Sequence, residues 1–231
     1  MIQEQPGINN KILCIMPSRN RPESCLLAAT SLINNISAPL HLVILLDFDD
    51  PSLPRYLESK ELLPCYHITS PATITARINE IAMRNIGEYD FFHLTNDDTI
   101  YRTKGWDTQF ISATSQHGVG VYYGNDMFQG INMPTFPFIP SSLVKEVGWL
   151  QMPHLIRYFG DTTWQFLAIE MGRKLFYLPD VVIEHMHKLA GKGNDDVDMD
   201  IFEHDKLEFA KFVVSSQPLR ERLRGKYATT G

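Results

Sequence analysis

Apolar residues along the chain fall into two alternating patterns. Short continuous runs, Lys11 to Met16, Leu40 to Leu46, Pro64 to Ile68, Tyr89 to Leu94 and Val119 to Tyr123, have the length and composition of buried strands. Between them the apolar positions recur at helical spacing. Leu26, Leu27, Ala28, Leu32 and Ile33 predict a helix opening at Pro22, where proline suits the first turn and Glu23 complements the helix dipole. Ile74, Ile78, Ile81 and Ala82 predict a helix over Thr73 to Ile86, and Trp106 to Ser115 predicts another. Strands alternating with helices predict an α/β fold, with a mostly parallel central sheet covered by helices on both faces.

Beyond Asp126 the pattern loosens around Pro134, Pro137 and Pro140, with a short strand near Phe136 and Phe138. Ser141 to Val147 predicts a short helix stopped by Gly148. Trp149 to Tyr158 is aromatic without periodicity and suits a pocket wall. Gly160 opens a helix running to about Met171, and Asp161 falls where an N-cap would sit, which alone explains an aspartate there. Leu175 to Leu178 and Asp180 to Glu184 predict two further strands. Phe202 to Val214 predicts a last helix, followed by a basic tail whose Arg220, Arg222 and Arg224 are expected to be solvated. Residues 1–10 are expected to form a loose arm, and residues 190–196 a mobile loop.

Candidate chemistry gathers where the predicted strands end. Tyr89 to Leu94 runs into Asn96-Asp97-Asp98, and Leu40 to Leu46 into Asp47-Phe48-Asp49-Asp50. In an open parallel sheet, ligands bind in the crevice beyond the carboxyl ends of the strands. Adjacent carboxylates repel unless a cation lies between them, so Asp97 and Asp98 suggest a divalent metal site; an Asx-rich turn is the simpler alternative. Asp47 fits contact with a ribose or base, or else helix capping. The first strand ends in Pro17-Ser18-Arg19-Asn20-Arg21-Pro22, so Arg19 and Arg21 lie in a strand-to-helix loop. They suit an anion site, or equally an ordinary loop surface. Arg77 and Asn79, near a helix start, could face the same crevice. His185 and His187, two apart on a predicted strand, share one face and could share a ligand; paired structural histidines explain them as well.

Composition narrows the class. A chain of 231 residues with 44% hydrophobic and 21% charged residues suits one globular α/β domain. A net charge of −6 does not indicate nucleic-acid binding. Cys14, Cys25 and Cys65 are odd in number and fit no zinc spacing, which points to a reduced cytoplasmic setting with Cys14 and Cys65 in the core. No apolar run approaches the roughly 18 residues of a transmembrane segment. No P-loop, Gly-x-Gly-x-x-Gly or nucleophile elbow is present.

The ordered set Ile15-Met16-Pro17-Ser18-Arg19-Asn20-Arg21-Pro22, Leu45-Leu46-Asp47, Asn96-Asp97-Asp98, Gly160-Asp161-Thr162-Thr163 and Ile183-Glu184-His185-Met186-His187 resembles the GT-A-fold glycosyltransferases, closest to the family 2-like enzymes. The resemblance covers roughly residues 11–190. It implies a catalytic domain there, with a nucleotide-binding half at 11–126, an acceptor half at 127–190, and a loop, helix and tail at 191–231. It also implies a nucleotide-sugar donor, expected to be UDP-linked, and an acceptor hydroxyl on a saccharide, protein or modified nucleobase. Asn96-Asp97-Asp98 takes the place of the Asp-x-Asp motif, with Asp98 on a metal and Asn96 and Asp97 toward ribose or sugar. Asp47 takes the base-binding place, with Pro17, Ser18, Arg19, Arg21, Asp49 and Arg77 around the donor. Asp161 matches the catalytic base of inverting members, though the family's preceding Glu is Gly160 here. His185 or His187 would complete the shell of Mn²⁺ or Mg²⁺, and Lys192 would close over the diphosphate. A nucleotidyltransferase is disfavoured by the absence of glycine between Pro17 and Pro22; a non-catalytic nucleotide- or sugar-binding module is the other alternative.

Overall fold

A computed structural model describes residues 10–69, 73–188, 191–192 and 197–228. Nearly all of the expected N-terminal arm and most of the 190–196 loop lie outside the described residues. The chain runs β1 (Ile12–Pro17), α1 (Pro22–Asn35), β2 (Leu40–Asp47), α2 (Leu53–Tyr56), β3 (Tyr66–Thr69), α3 (Ile74–Arg84), β4 (Phe91–Leu94) and β5 (Thr99–Tyr101). It continues α4 (Trp106–His117), β6 (Val121–Asn125), β7 (Phe138–Pro140), α5 (Ser141–Val147), α6 (Gly160–Glu170), β8 (Leu175–His185), α7 (Met199–Ser215) and α8 (Gln217–Tyr227).

Among the described residues the strands form one sheet in the order β3-β2-β1-β4-β7-β6-β8-β5. The first four are mutually parallel, as are β6 and β8; β7 and β5 run against their neighbours. β1 is central. Ile12, Leu13, Cys14, Ile15 and Met16 are all fully buried, because helices cover both faces of a parallel strand. Its alternate side chains join two cores. Ile12, Cys14 and Met16 pack on the side of α1 and α4, and Leu13 and Ile15 on the side of α3, α5 and α6.

The expected elements are present with four corrections. The α1 stripe is displaced: Cys25, Ala28, Ala29 and Leu32 face the core, whereas Leu26, Leu27 and Ile33 face outward. Small Ala28 and Ala29 let the helix lie close to the sheet. The two strands expected over 175–184 are one, β8. Cys25 is fully buried, whereas Cys65 is only partly so. The basic tail is helical, and its arginines carry ion pairs: Arg220 is mostly covered, whereas Arg222 and Arg224 are paired while remaining exposed, as expected. Arg220 and Arg224 reach Glu170 at 3.3 and 2.6 Å, and Arg222 reaches Glu146 at 2.8 Å. Among the described residues no helix is long and apolar enough to cross a membrane.

Candidate active site

Strand register builds the site. Pro17 of β1 pairs with Leu45 of β2, and Ile15 with Leu94 of β4, so three parallel strands end at one edge. Ser18, Asp47 and the 95–98 turn therefore meet beyond that edge, at the crevice where parallel sheets bind ligands. β5, a strand of three residues that the apolar pattern did not announce, brings the last element. It pairs antiparallel with β8, Thr99 opposite His185, and Met186 N–H donates to the Asp98 carbonyl at 2.8 Å. That ladder carries the end of β8 to Asp98. The resulting cleft of about 700 Å³ is lined by Pro17, Ser18, Arg19, Arg21, Asp47, Arg77, Asn96, Asp97, Asp98, Asp161, His185 and His187, among others.

On one side lies a chain of charges. Arg19 Nη1 donates to Asp47 Oδ2 at 2.7 Å and to Asp49 Oδ1 at 2.8 Å. Arg77 Nη1 lies 2.6 Å from Asp47 Oδ1 and donates to Thr69 Oγ1 at 3.0 Å. Asp47 thus sits between a buried guanidinium and a half-exposed one. Asn79 faces away from this group: its amide takes the backbone of Leu150 and Gln151, which steadies the opposite wall.

In the middle, the Arg21 amide donates to Tyr56 Oη at 2.9 Å, Tyr56 Oη and Ser18 Oγ are 2.7 Å apart, and Ser18 Oγ donates to Asp97 Oδ2 at 2.7 Å. Hydrogen bonds in such a chain polarise one another. Tyr56, nearly fully buried, is a site residue that sequence reasoning missed; nothing local marks a tyrosine on so short a helix. Arg21 Nη1 lies 3.0 Å from Asp97 Oδ1 and 3.9 Å from Asp98 Oδ2. Burial pushes the Asp97 carboxyl up to about 6, against the pull of Arg21 and Ser18. Burial acts on Asp98 in the same sense, but His185 and Arg21 outweigh it and hold that carboxyl below its usual range.

The donor set near Asp98 can be tested against a divalent ion. His185 Nε2 lies 3.4 Å from Asp98 Oδ2, and Asp98 Oδ1 is buried without a hydrogen-bond partner. Two ligand atoms each about 2.1 Å from one ion, at right-angle to tetrahedral spacing, are about 3.0–3.4 Å apart. The pair fits as two neighbouring ligands. Among the described residues no three His, Cys, Asp or Glu side chains form a cation cage. His187 also lines the cleft, its ring 5.0 Å from that of His185. It lies past the end of β8, stacked on Phe128 at 5.3 Å.

Asp161 lines the cleft on α6, but not as its N-cap. Phe159 holds that position with a left-handed backbone (φ 64°), and the Asp161 carboxylate accepts from Thr162 N–H at 2.7 Å. Burial raises its carboxyl above the ordinary range, opposed by those Thr162 bonds. Gly160 beside it leaves room for Gln151: a Cβ there would lie 2.3 Å from Gln151 Nε2. Lys192 is held elsewhere. Its ammonium bonds Glu184 Oε1 at 2.8 Å, beside Arg102, on the sheet face opposite His185. Asp49 is exposed at the rim, and Asn96 is exposed in the turn. Phe128, Tyr158, Phe159 and Phe202 add an aromatic wall across from the charges. Asp126, at the end of β6, aims Phe128 by accepting three backbone N–H groups on one oxygen.

No protein-family model matches the chain, and no curated protein matches it in sequence. Solved structures do match in shape. S. aureus TarS superposes with a TM-score of 0.62 at 12% identity, covering 94% of this chain, which spans 43% of TarS. TarS 1–349 in complex with UDP-GlcNAc gives 0.61 at 12% identity, over 94% of this chain and 71% of that one. The mannosyltransferase PcManGT of Pyrobaculum calidifontis, in complex with GDP-Man and Mn²⁺, gives 0.60 at 13% identity, over 95% and 75%. The chain thus has the GT-A-like α/β fold of these glycosyltransferases.

Proposed function

We propose that the protein is a metal-dependent glycosyltransferase that moves a sugar from a nucleoside-diphosphate donor to an acceptor hydroxyl, with inversion. The observation that carries this reading is the convergence of Asp47, Asp97, Asp98, Asp161 and His185 in one cleft at the carboxyl edge of the parallel strands. Neighbours of the same fold are bound to UDP, UDP-GlcNAc or GDP-Man with Mn²⁺, which supports a nucleotide sugar as the donor.

The residues divide the work as follows. Asp47, held by Arg77, offers a carboxylate to the base or ribose, and a UDP donor suits it. Asp97, fixed through Ser18, faces ribose or sugar. Asp98 and His185 would hold the Mn²⁺ or Mg²⁺, which when bound neutralises charge on the departing diphosphate. Arg19 and Arg21 add positive charge at the diphosphate. Asp161 takes the acceptor's proton; a carboxyl raised by burial is a better base than one in water. The aromatic wall receives the acceptor.

Calorimetry with UDP and GDP, each with and without Mn²⁺, followed by donor-hydrolysis assays, tests the reading. Metal-dependent binding that disappears in Asp98→Ala, with slow hydrolysis of the matching nucleotide sugar, is expected. Metal-dependent binding without turnover would instead support a nucleotide-binding module. If neither nucleotide binds under any condition, the donor assignment fails.

A further inference from the structure

The crevice carries a cation of its own. Asp97 and Asp98 are neighbours in sequence and largely buried, an arrangement that repels unless positive charge lies close by. Arg21 supplies it, with one guanidinium nitrogen reaching toward both carboxylates. Its backbone is anchored by the Tyr56 hydroxyl, and its side chain remains a quarter exposed, so the guanidinium can move while the main chain stays. The Asp98 oxygen it approaches, Oδ2, is the same one that faces His185 Nε2. A divalent ion on that oxygen and a guanidinium beside it repel each other.

We propose that Arg21 is a resident counter-ion that competes with the divalent metal for Asp98, and that metal binding releases its guanidinium to the donor's diphosphate. The inference rests on the proposed function for its metal and its donor. Before ligands arrive, Arg21 balances the carboxylate pair. When the metal takes over that balance, the hold of the carboxylate pair on Arg21 weakens and its guanidinium is drawn to the nearest anion, a diphosphate. Metal and nucleotide then raise each other's affinity, as linkage requires. The same arginine would therefore weaken binding of the metal alone and strengthen binding of metal and nucleotide together.

The test titrates Mn²⁺ into the full chain and follows free Mn²⁺ by electron paramagnetic resonance, first alone and then with saturating UDP or GDP. Wild type, Arg21→Gln and Arg21→Lys are compared. Removing the charge in Arg21→Gln should tighten Mn²⁺ alone by on the order of tenfold and shrink the nucleotide's effect on Mn²⁺ affinity by about as much. Arg21→Lys keeps the charge and should keep the weaker, wild-type affinity for Mn²⁺ alone. Equal or weaker Mn²⁺ binding in Arg21→Gln overturns the proposal, even while nucleotide binding and the proposed function stand. Absence of Mn²⁺ binding in every variant overturns both. Should Arg21→Gln fail to fold, nuclear magnetic resonance of the wild-type guanidinium groups decides. Saturating Mg²⁺ should move the Arg21 signals and spare those of Arg77; unmoved Arg21 signals overturn the proposal.

Discussion

His93 couples acidity to the turn that bears Asp97 and Asp98. It lies on β4, fully buried among Trp106, Phe138 and Tyr101. Its Nδ1–H faces the Pro137 carbonyl at 3.2 Å, so Nε2 must accept, and it does so from Tyr101 Oη on β5 at 2.6 Å. One neutral imidazole thus ties together the two strands flanking the turn. Burial pushes it down to about 4 from an ordinary 6.5. Between those values the unfolded chain binds a proton and the folded chain does not. Stability from this group is therefore full above about pH 6.5 and is lost progressively as pH falls toward about 4. A displacement of about 2.5 units corresponds to about 3 kcal/mol in full, of which about 2 kcal/mol is gone by pH 5. Urea unfolding of wild type and His93→Gln from pH 7.5 to 4.5 checks this. Contributions from groups common to both proteins cancel in the difference. Wild type should lose about 2 kcal/mol more than the variant between pH 7.5 and 5. Parallel stability curves would refute the reasoning.

Three substitutions probe the cleft itself. Asp161→Asn should bind donor and Mn²⁺ as wild type does while transfer falls by about 10²–10⁴-fold, the usual worth of a positioned base; near-wild-type turnover would remove the base role. Arg77→Met strips Asp47 of its buried partner and should cost about 3 kcal/mol in urea unfolding; a loss below about 1 kcal/mol would mean that Arg19 alone satisfies Asp47. Gly160→Ala places a methyl against the flexible end of Gln151, so it should cost only about 1 kcal/mol while shifting KM for the acceptor. Unchanged kinetics there would mean that Gln151, which lines the cleft, takes no part in acceptor binding.

The parallel half of the sheet was legible because strands covered on both faces cannot alternate. Lys11 to Met16 and Leu40 to Leu46 are continuous apolar runs, and each ends where polarity returns abruptly. Asp47 and the Asp97–Asp98 pair stood out because each follows a buried strand directly, where a parallel sheet binds its ligands. What escaped was whatever depends on residues far apart in sequence. The ion pairs of the basic tail were hidden because Glu146 and Glu170 lie 50 or more positions upstream of the arginines they hold. Asp161 looked like an N-cap because the left-handed backbone at Phe159, which moves the cap two residues upstream, is a conformation and not a composition. The α1 stripe was misplaced because alanines carry weak hydrophobic signal yet pack closest to a sheet.

The partnership of Asp98 with His185 illustrates why the two kinds of information differ. Each residue was a candidate on its own, yet no local feature chose between His185 and His187. Both histidines line the cleft, and β5, whose three residues are too few to register as a pattern, brings His185 beside Asp98. Once Thr99 pairs with His185, alternation along an extended strand sends Glu184 to the other face, where Arg102 and Lys192 take it up. His185 then has one direction left, toward Asp98. A one-residue slip of that ladder would present Glu184 to the crevice instead, adding a carboxylate beside Asp97 and Asp98 and removing the imidazole. The ladder fixing this register is short. The Thr103 hydroxyl reinforces it by accepting from Val182 N–H at 2.8 Å and donating to the Asp180 carbonyl at 3.0 Å. The metal reading therefore depends on a hydrogen-bonding residue well outside the cleft, as much as on the carboxylates that first suggested it.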